Sequence, residues 1–324
     1  MIKVGCCGFA GGMGRYFGTF DVVEVQRTFY KPPLSRTAER WRRLAPEGFE
    51  FTVKCFQAVT HPATSPTYRK AGIAIPPEKR DRYGFFRPTE EVIDAWERTK
   101  GICRALDARI CVVQCPASFR ATEESIRNME AFFSSIDRDG IVMAWEPRGR
   151  SWTDDLVRSL CERLDLTHVV DPFAREPVAL TGGVAYFRLH GKPPGEAMYR
   201  YQYDDGELSS LAERARRLEE EGNAVYVMFN NLVMLDDATR FSAYLGEGSF
   251  PPILPSGREG LARLLQTVGY PAGVDRLLRR LGWRLVGIRG RQARLDRLLR
   301  LLEPRPYASA DDVLEELDRK GLLG

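Results

Sequence analysis

Short apolar segments that end in polar or ionisable residues recur along the first 250 residues of the chain. They occupy residues 2–7, 21–25, 49–55, 110–115, 141–146, 167–171, 185–190 and 224–231. Most are separated by segments in which apolar residues recur at the three- and four-residue spacing of an amphipathic helix. Eight strand-then-helix units predict an α/β fold, a (β/α)8 TIM barrel over residues 1–250. The polar strand ends are then expected at the active-site face of that barrel.

A proline-rich segment at 250–257 separates the eighth unit from a C-terminal part of different composition. Beyond it, short stretches with leucine at helical spacing predict a small α-helical domain over residues 257–324. Residues 276–305 contain ten arginines and two acids, whereas the net charge of the whole chain is +4. Such a concentration of positive charge favours a polyanionic partner. The arginines expected to contact nucleic acid are Arg279, Arg280, Arg284, Arg289 and Arg291.

Other features of the sequence narrow the class of protein. No run of about 18 apolar residues is present, so we expect no membrane span. The first strand begins without a basic and apolar leader, which favours a cytoplasmic protein. The seven cysteines follow no zinc-ribbon or zinc-finger spacing, and we expect reduced, buried thiols. Cys7, at the end of the first strand, is expected to be a buried spectator rather than a nucleophile. The sequence leaves the oligomeric state open.

Three carboxylates and two histidines are the candidates for catalysis. Glu24, Glu146 and Asp171 each end a predicted strand, so closure of the barrel brings them toward one another. His190 also ends a strand, and His61 lies in the loop after the third strand. Two neighbouring carboxylates can perform general acid–base catalysis, and carboxylates with a histidine can instead bind a divalent metal ion. We expect no metal or one divalent ion.

A second set of residues is suited to holding an anionic substrate. Lys54 and Arg188 place positive charge at strand ends, although salt bridges to the strand-end glutamates explain them equally well. Tyr199 and Tyr201 share one face of an extended loop, where they either stack on bases and sugars or pack over the barrel mouth. The full set of substrate-binding candidates is Lys54, Arg148, Arg188, Gln114, Tyr30, Trp152, Tyr199, Tyr201, Asn230 and Asn231.

Motifs at the strand ends and in the loops form a recognisable series. They are VGCCGF near the N-terminus, VEVQRTFYKPP (22–32), FTVKCFQAVTHP (51–62), VVQCPASF (112–119), MAWEPRGRSW (143–152), FRLHG (187–191), YRYQY (199–203) and VYVMFNN (225–231). Together they resemble the YecE-like family, also called domain of unknown function seventy-two, over roughly residues 2–250. The resemblance implies a TIM barrel but no settled reaction. The barrel of that family is similar to those of xylose isomerase and endonuclease IV, which suggests a role on DNA by fold analogy alone.

The resemblance can be carried to individual positions of this chain. The positions that match the family motifs are Glu24, Tyr30, Lys54, His61, Gln114, Glu146, Arg148, Trp152, Arg188, His190, Tyr199, Tyr201 and Asn231. The first strand ends in Cys7-Gly8-Phe9 where the family usually has a Ser-Gly-Trp-like turn, which puts any role for a hydroxyl there in doubt. The arginine-rich tail from 257 onward lies outside the usual family pattern and suggests an added partner or a substrate handle.

The residues and the resemblance together favour an enzyme that acts on nucleic acid. Its reaction would be hydrolytic, of the nuclease or DNA-repair type, on a phosphodiester or N-glycosidic bond. With three histidines in the chain, a three-metal site of the endonuclease-IV type is not expected. Two alternatives remain open at this point. One is an isomerase or hydrolase of a sugar phosphate or another small anionic substrate, and the other is a non-catalytic nucleic-acid-binding protein.

Overall fold

The structure is a computed structural model that describes residues 1–191, 198–253, 255–288 and 290–323 of the 324-residue chain. Arg289, one of the arginines expected to contact nucleic acid, lies outside the described residues. None of the helices in the described part of the chain has the length and hydrophobicity needed to span a membrane.

Eight parallel strands close into a barrel in sequential order, with the last strand paired to the first. They are β1 (Ile2–Cys6), β2 (Val22–Val25), β3 (Glu50–Lys54), β4 (Ile110–Gln114), β5 (Val142–Glu146), β6 (Leu166–Val170), β7 (Val184–Leu189) and β8 (Ala224–Phe229). Each strand coincides with one of the eight apolar segments of the sequence. The predicted TIM barrel is therefore confirmed.

The interior of the barrel is filled by side chains at alternate strand positions. One buried cluster inside it contains Cys7, Val22, Ile110, Val112, Ala144, Val169, Val184, Tyr186, Tyr226 and Met228. Residues two apart along a strand face the same side of the sheet. Four polar strand-end residues lie two positions after a member of this cluster, so their side chains also face the interior. They are Glu24, Gln114, Glu146 and Arg188.

Helices follow most of the strands along the chain and make up much of the C-terminal part. They are α1 (Met13–Phe17), α2 (Arg27–Tyr30), α3 (Ser35–Leu44), α4 (Pro66–Lys70), α5 (Glu90–Leu106), α6 (Glu123–Ser135), α7 (Asp154–Leu164), α8 (Asp205–Glu220), α9 (Met234–Glu247), α10 (Gly257–Leu265), α11 (Val274–Leu281), α12 (Leu295–Leu299) and α13 (Ala310–Arg319). Short 3-10 helices occupy Pro77–Arg82 and Thr181–Gly183. Hydroxyls of Thr122 and Thr153 accept hydrogen bonds from Ser125 and Leu156 backbone N–H groups, which fixes the starts of α6 and α7.

The C-terminal part contains two strands as well as the predicted helices. β9 (Leu285–Ile288) and β10 (Arg291–Arg294) pair antiparallel, so residues 292–294, which the leucine spacing assigned to a helix, belong to a strand. Leu295, the first leucine of that stretch, begins α12 instead. A buried cluster of apolar side chains, including Leu261, Leu277, Val286 and Val313, packs these elements together.

The chain divides into two compact units. The first, here called the barrel unit, comprises Met1–Leu189 and Glu213–Phe229. The second, here called the loop-and-tail unit, comprises His190–Ala212 and the chain from Asn230 to the C-terminal end. Independent folding of residues 257–324 as a domain stays a prediction.

Candidate active site

Arg188 is the centre of an ionic cluster inside the barrel unit. Its side chain is 0% exposed, and its Nε and Nη2 atoms each donate to a carboxylate oxygen of Glu24 at 2.9 Å. Its Nη1 atom donates to Glu146 and, at 3.2 Å, to Oε1 of Gln114. One guanidinium from β7 therefore joins side chains from β2, β4 and β5 at the strand ends.

Further hydrogen bonds satisfy the two buried carboxylates. Tyr186 Oη donates to Glu24 at 3.0 Å, and the side-chain amide of Gln26 donates to the other oxygen of Glu24. Nε and Nη2 of Arg148 each lie 2.8 Å from Oε1 of Glu146. Removal of charged groups from water is unfavourable unless each is paired and hydrogen-bonded. The salt bridges that the sequence offered as an alternative explanation are thus present for Arg188.

Lys54 reaches the same cluster from β3, but it is paired differently. Its Nζ atom lies 2.9 Å from Oε1 of Gln114 and 3.5 Å from Oε1 of Gln26, and 4.3 Å from the centre of the Phe29 ring. None of the described residues forms a salt bridge with it. Burial, together with the nearby Arg188 charge, lowers the pKa of Lys54 to about 7. A large fraction of its amine is therefore neutral at physiological pH.

His61 lies beside this lysine in the loop after β3. Its Nδ1 atom is 2.8 Å from the Thr60 hydroxyl, and its ring packs edge-on against Phe29 at 4.8 Å between centres. Gly84 approaches so closely that a Cβ there would lie 2.3 Å from the His61 carbonyl carbon. Burial and the Lys54 charge lower the pKa of His61 to about 3. This histidine is therefore a neutral hydrogen-bonding group at neutral pH.

Two aromatic candidates of the barrel unit have different surroundings. Trp152 is buried, and its Nε1 donates to the backbone carbonyl of Phe119 at 2.7 Å, so it packs beneath the loops. Tyr30 is 37% exposed, and its ring meets that of Phe29 edge-on, with 5.0 Å between their centres. Of the two, Tyr30 is accessible to a ligand.

Cys7 and Asp171 complete the predicted residues of the barrel unit. Burial, followed by the nearby Glu24 charge, raises the pKa of the Cys7 thiol well above its ordinary value, so the thiol stays protonated. A carboxylate oxygen of Asp171 accepts a hydrogen bond from the backbone N–H of Phe173 at 3.1 Å. Asp171 thus stabilises the turn that follows β6.

The loop-and-tail unit brings together three other predicted residues. The Nδ2 atom of Asn230 lies 3.0 Å from Nδ1 of His190. The rings of His190 and Tyr199 meet edge-on, with 5.9 Å between their centres. Gly191 has a φ of +86° and lies so close to Met198 that a Cβ would be 2.2 Å from the Met198 carbonyl oxygen.

Asn231 and Tyr201 fix the conformation of the tyrosine-rich loop. Asn231 Nδ2 donates at 2.7 Å both to the Tyr201 carbonyl and to the Asp237 carboxylate. The Tyr201 hydroxyl donates to Glu207, and the Arg294 guanidinium lies 4.7 Å from the centre of its ring. These two residues therefore stabilise the loop, whereas Tyr199 presents its ring to His190.

The C-terminal arginines fall into two groups. Arg279, Arg280 and Arg291 are exposed. Arg284 is half-buried, and its Nε donates to Oε1 of Gln202 at 3.2 Å. Burial lowers the pKa of Arg284. Of the four predicted arginines that the structure describes, three are therefore accessible to a partner, and Arg284 is engaged in an internal contact.

Sequence reasoning missed two residues that bind Glu24. Tyr186 lies two positions before Arg188 on the same strand, so alternation along β7 could have identified it. Gln26 lies just beyond the end of β2, where alternation no longer applies and no sequence signal points inward. The structure thus adds two residues to the cluster: Tyr186, which the sequence could have revealed, and Gln26, which it could not.

Charge is distributed unequally between the two ends of the barrel unit. The segments that follow strands β1 to β6 contain twelve Lys and Arg residues and four Asp and Glu residues. These segments are 7–12, 26–34, 55–89, 115–122, 147–153 and 171–183. The segments that lead from helices into strands contain two basic and seven acidic residues, in 18–21, 45–49, 107–109, 136–141, 165 and 221–223. The end that bears the Arg188 cluster is therefore the positive one.

No group of three or more His, Cys, Asp or Glu side chains is placed to hold a metal ion within the described ranges. The carboxylates that could have served as ligands, Glu24 and Glu146, are bound by Arg188. The expectation of no metal or one divalent ion stays a prediction.

Comparison with known proteins identifies relatives of the barrel. The sequence profile described as protein of unknown function DUF72 matches residues 10–253. The UPF0759 protein YunF of Bacillus subtilis (strain 168) is 24% identical over 243 residues, which cover 67% of this chain and 79% of that protein. The crystal structure of a DUF72 family protein from Thermotoga maritima MSB8 is 25% identical, covers 76% of this chain and 100% of that chain, and has a TM-score of 0.57. One from Enterococcus faecalis V583 is 21% identical, covers 76% and 97%, and has a TM-score of 0.60.

Proposed function

Since the chain belongs to the DUF72 family, whose profile matches residues 10–253, we propose that it is an enzyme that hydrolyses a phosphodiester or N-glycosidic bond in nucleic acid. The observation that carries this proposal is the ionisable cluster of Glu24, Lys54, Glu146 and Arg188 at the positive end of the barrel. A barrel closed only for packing needs no buried charges there, because each is unfavourable to remove from water.

The charge of the loops supports a polyanionic substrate. The twelve basic and four acidic residues that follow β1 to β6 give this end of the barrel unit a net positive charge. Phosphate groups bind such surfaces and release their condensed counterions, which makes the affinity sensitive to salt. The exposed Arg279, Arg280 and Arg291 add charge of the same sign in the loop-and-tail unit.

Lys54 is the member of the cluster best matched to proton transfer at neutral pH, because its pKa is about 7. Its neutral amine accepts a proton from the attacking water, and the ammonium then returns a proton to the leaving group. The Arg148 side chain is 27% exposed and supplies positive charge for a phosphate oxygen. Arg188 holds Glu24 and Glu146 in position.

The test is binding and cleavage of labelled single- and double-stranded DNA and RNA at low and high salt, with and without divalent metal ions. The variants are Glu146→Gln and, as a matched control, Glu130→Gln, whose carboxylate pairs with Arg163 on the helical surface. We expect salt-sensitive binding by both variants and loss of cleavage in Glu146→Gln alone. Absence of binding at low salt would contradict a nucleic-acid substrate, and full turnover by Glu146→Gln would contradict catalysis at this cluster.

A further inference from the structure

Two lysines of the barrel unit are buried in contrasting surroundings. Lys100 is 5% exposed, and its Nζ lies 2.9 Å from a Glu97 carboxylate oxygen and 3.3 Å from one of Asp137. These hydrogen bonds raise the pKa of Lys100, so it remains an ammonium ion. Lys54 is 7% exposed and has amide oxygens, rather than carboxylates, as its hydrogen-bond partners. Of these two lysines, Lys54 is therefore the one placed to act as a neutral amine.

The hydrogen bonds around Lys54 leave its nitrogen lone pair unused. A neutral amine has two N–H bonds and one lone pair. The acceptors Oε1 of Gln114 and Oε1 of Gln26 account for the two N–H bonds. Both amides are oriented by other contacts, since Arg188 donates to Oε1 of Gln114 and Gln26 donates its own N–H to Glu24. The lone pair is thus free to attack an electrophilic carbon.

We propose that Lys54 forms a Schiff base with the aldehyde carbon of an open-chain sugar that carries a phosphate group. Arg148, whose side chain is 27% exposed and pairs with Glu146, provides positive charge for that phosphate together with the basic residues of the loops at the same end of the barrel. The inference goes beyond the proposed function, because the amine that accepts a proton in hydrolysis here forms a bond to carbon, and it rests on the proposed function for the location of the substrate.

Formation of the Schiff base needs no reagent other than the amine and the aldehyde. The Lys54 nitrogen bonds to the aldehyde carbon, and the carbonyl oxygen takes up the proton that the nitrogen releases, which gives a carbinolamine. The carbon–oxygen bond then breaks as the hydroxyl takes the remaining N–H proton and leaves as water, and the nitrogen lone pair forms the carbon–nitrogen double bond. Addition of water reverses both steps and restores the free amine.

Such an aldehyde has two sources. One is a free sugar phosphate, and the other is the deoxyribose of a nucleic-acid strand from which a base has been removed. Both present an aldehyde carbon close to a phosphate, so the same amine and guanidinium groups would recognise either. The probes for the test are ribose 5-phosphate and a DNA oligonucleotide with one abasic site.

The experiment traps the Schiff base with sodium cyanoborohydride, whose hydride reduces the imine to a stable secondary amine. Peptide mass spectrometry of the full-length wild-type protein then locates the adduct. We expect labelling of Lys54 to exceed that of Lys100 by at least about tenfold near pH 7, because burial lowers the pKa of Lys54 to about 7, whereas hydrogen bonds to Glu97 and Asp137 raise the pKa of Lys100. Lys54→Met should lose this adduct, and the matched control Lys100→Met should retain it.

Mapping on the wild-type protein does not depend on correct folding of either variant. If neither probe labels Lys54 preferentially, the Schiff-base proposal is wrong. Cleavage of intact nucleic acid by the same protein would then still support the hydrolytic function. An adduct with ribose 5-phosphate in a protein that neither binds nor cleaves nucleic acid would support the Schiff base and contradict the nucleic-acid substrate.

Discussion

Arg294 connects the C-terminal hairpin to the tyrosine-rich loop, although it lies beyond residues 10–253 that match the family profile. Its guanidinium lies 4.7 Å from the centre of the Tyr201 ring, and its Nη1 donates to the backbone carbonyl of Gln202 at 3.2 Å. The same Nη1 donates to the carbonyl of Trp283 at 3.2 Å, which holds the side chain in place. Replacement of Arg294 by alanine removes both contacts. It also removes the longer contacts of Nη2 with the Tyr201 hydroxyl at 3.4 Å and with the carboxylates of Asp204 and Glu207 at 3.9 and 3.8 Å.

The expected effect follows from these contacts. A partly buried cation–π contact contributes about 0.5–1 kcal/mol, and a hydrogen bond from a charged donor contributes about 1.5 kcal/mol at the low end of its range. Their loss should lower the free energy of local opening by about 2 kcal/mol. Since each 1.4 kcal/mol corresponds to about a tenfold change in an equilibrium constant, opening should become roughly 30-fold more frequent.

Hydrogen–deuterium exchange with mass spectrometry measures this opening in peptides that cover residues 198–205. Arg291→Ala is the matched control, because Arg291 belongs to the same strand and is exposed. Arg294→Lys should give an intermediate rate, since it keeps the charge and loses the planar stacking group. Equal exchange in Arg294→Ala and Arg291→Ala would refute the reasoning.

Three further outcomes are expected. Arg188→Met leaves two buried carboxylates without their shared partner, so urea denaturation should show a loss of about 3–5 kcal/mol, and a loss below about 1 kcal/mol would contradict this. Burial lowers the pKa values of His61 and His168 to about 3, so their imidazole NMR signals should not titrate between about pH 5 and about pH 8, and a titration there would show that they are not buried as described. Burial raises the pKa of Asp237 from 3.8 to about 7, so the folded state binds more protons in this range and stability falls as pH rises through it. The difference in melting temperature between Asp237→Asn and wild type should therefore shift in favour of the variant as pH rises from about 5 to about 8. A difference that does not depend on pH would contradict this cause.

The barrel could be predicted because its strands bury a continuous apolar segment and end in a polar residue on the interior side. Alternation along β7 places Tyr186 and Arg188 on one face, so the sequence was sufficient to direct Arg188 inward. The same rule does not specify which charges pair. Arg188 and Lys54 were equivalent candidates in the sequence, and only the structure distinguishes the ion-paired guanidinium from the amine that binds amide oxygens.

The C-terminal part was harder to predict because its leucine spacing is consistent with two local structures. Leucines near Leu295 fit a helical period, yet residues 291–294 pair with β9 as a strand. Likewise Arg284 and Arg280 have the same side chain in the same basic stretch, but one binds Gln202 and the other is exposed. Composition reports the total charge of such a stretch, whereas long-range packing decides which charges remain available.

The opposite charges at the two ends of the barrel unit give it an electric dipole along the barrel axis. The field of an approaching polyanion turns the positive end of the barrel unit toward it before contact. This orientation raises the association rate at low ionic strength. The ions at the centre of the site are paired over short distances, and mobile salt screens buried pairs much less than exposed charges. For the proposed enzyme, capture of the substrate and its chemical conversion are therefore expected to respond differently to salt, with kcat/KM falling as ionic strength rises and kcat changing little.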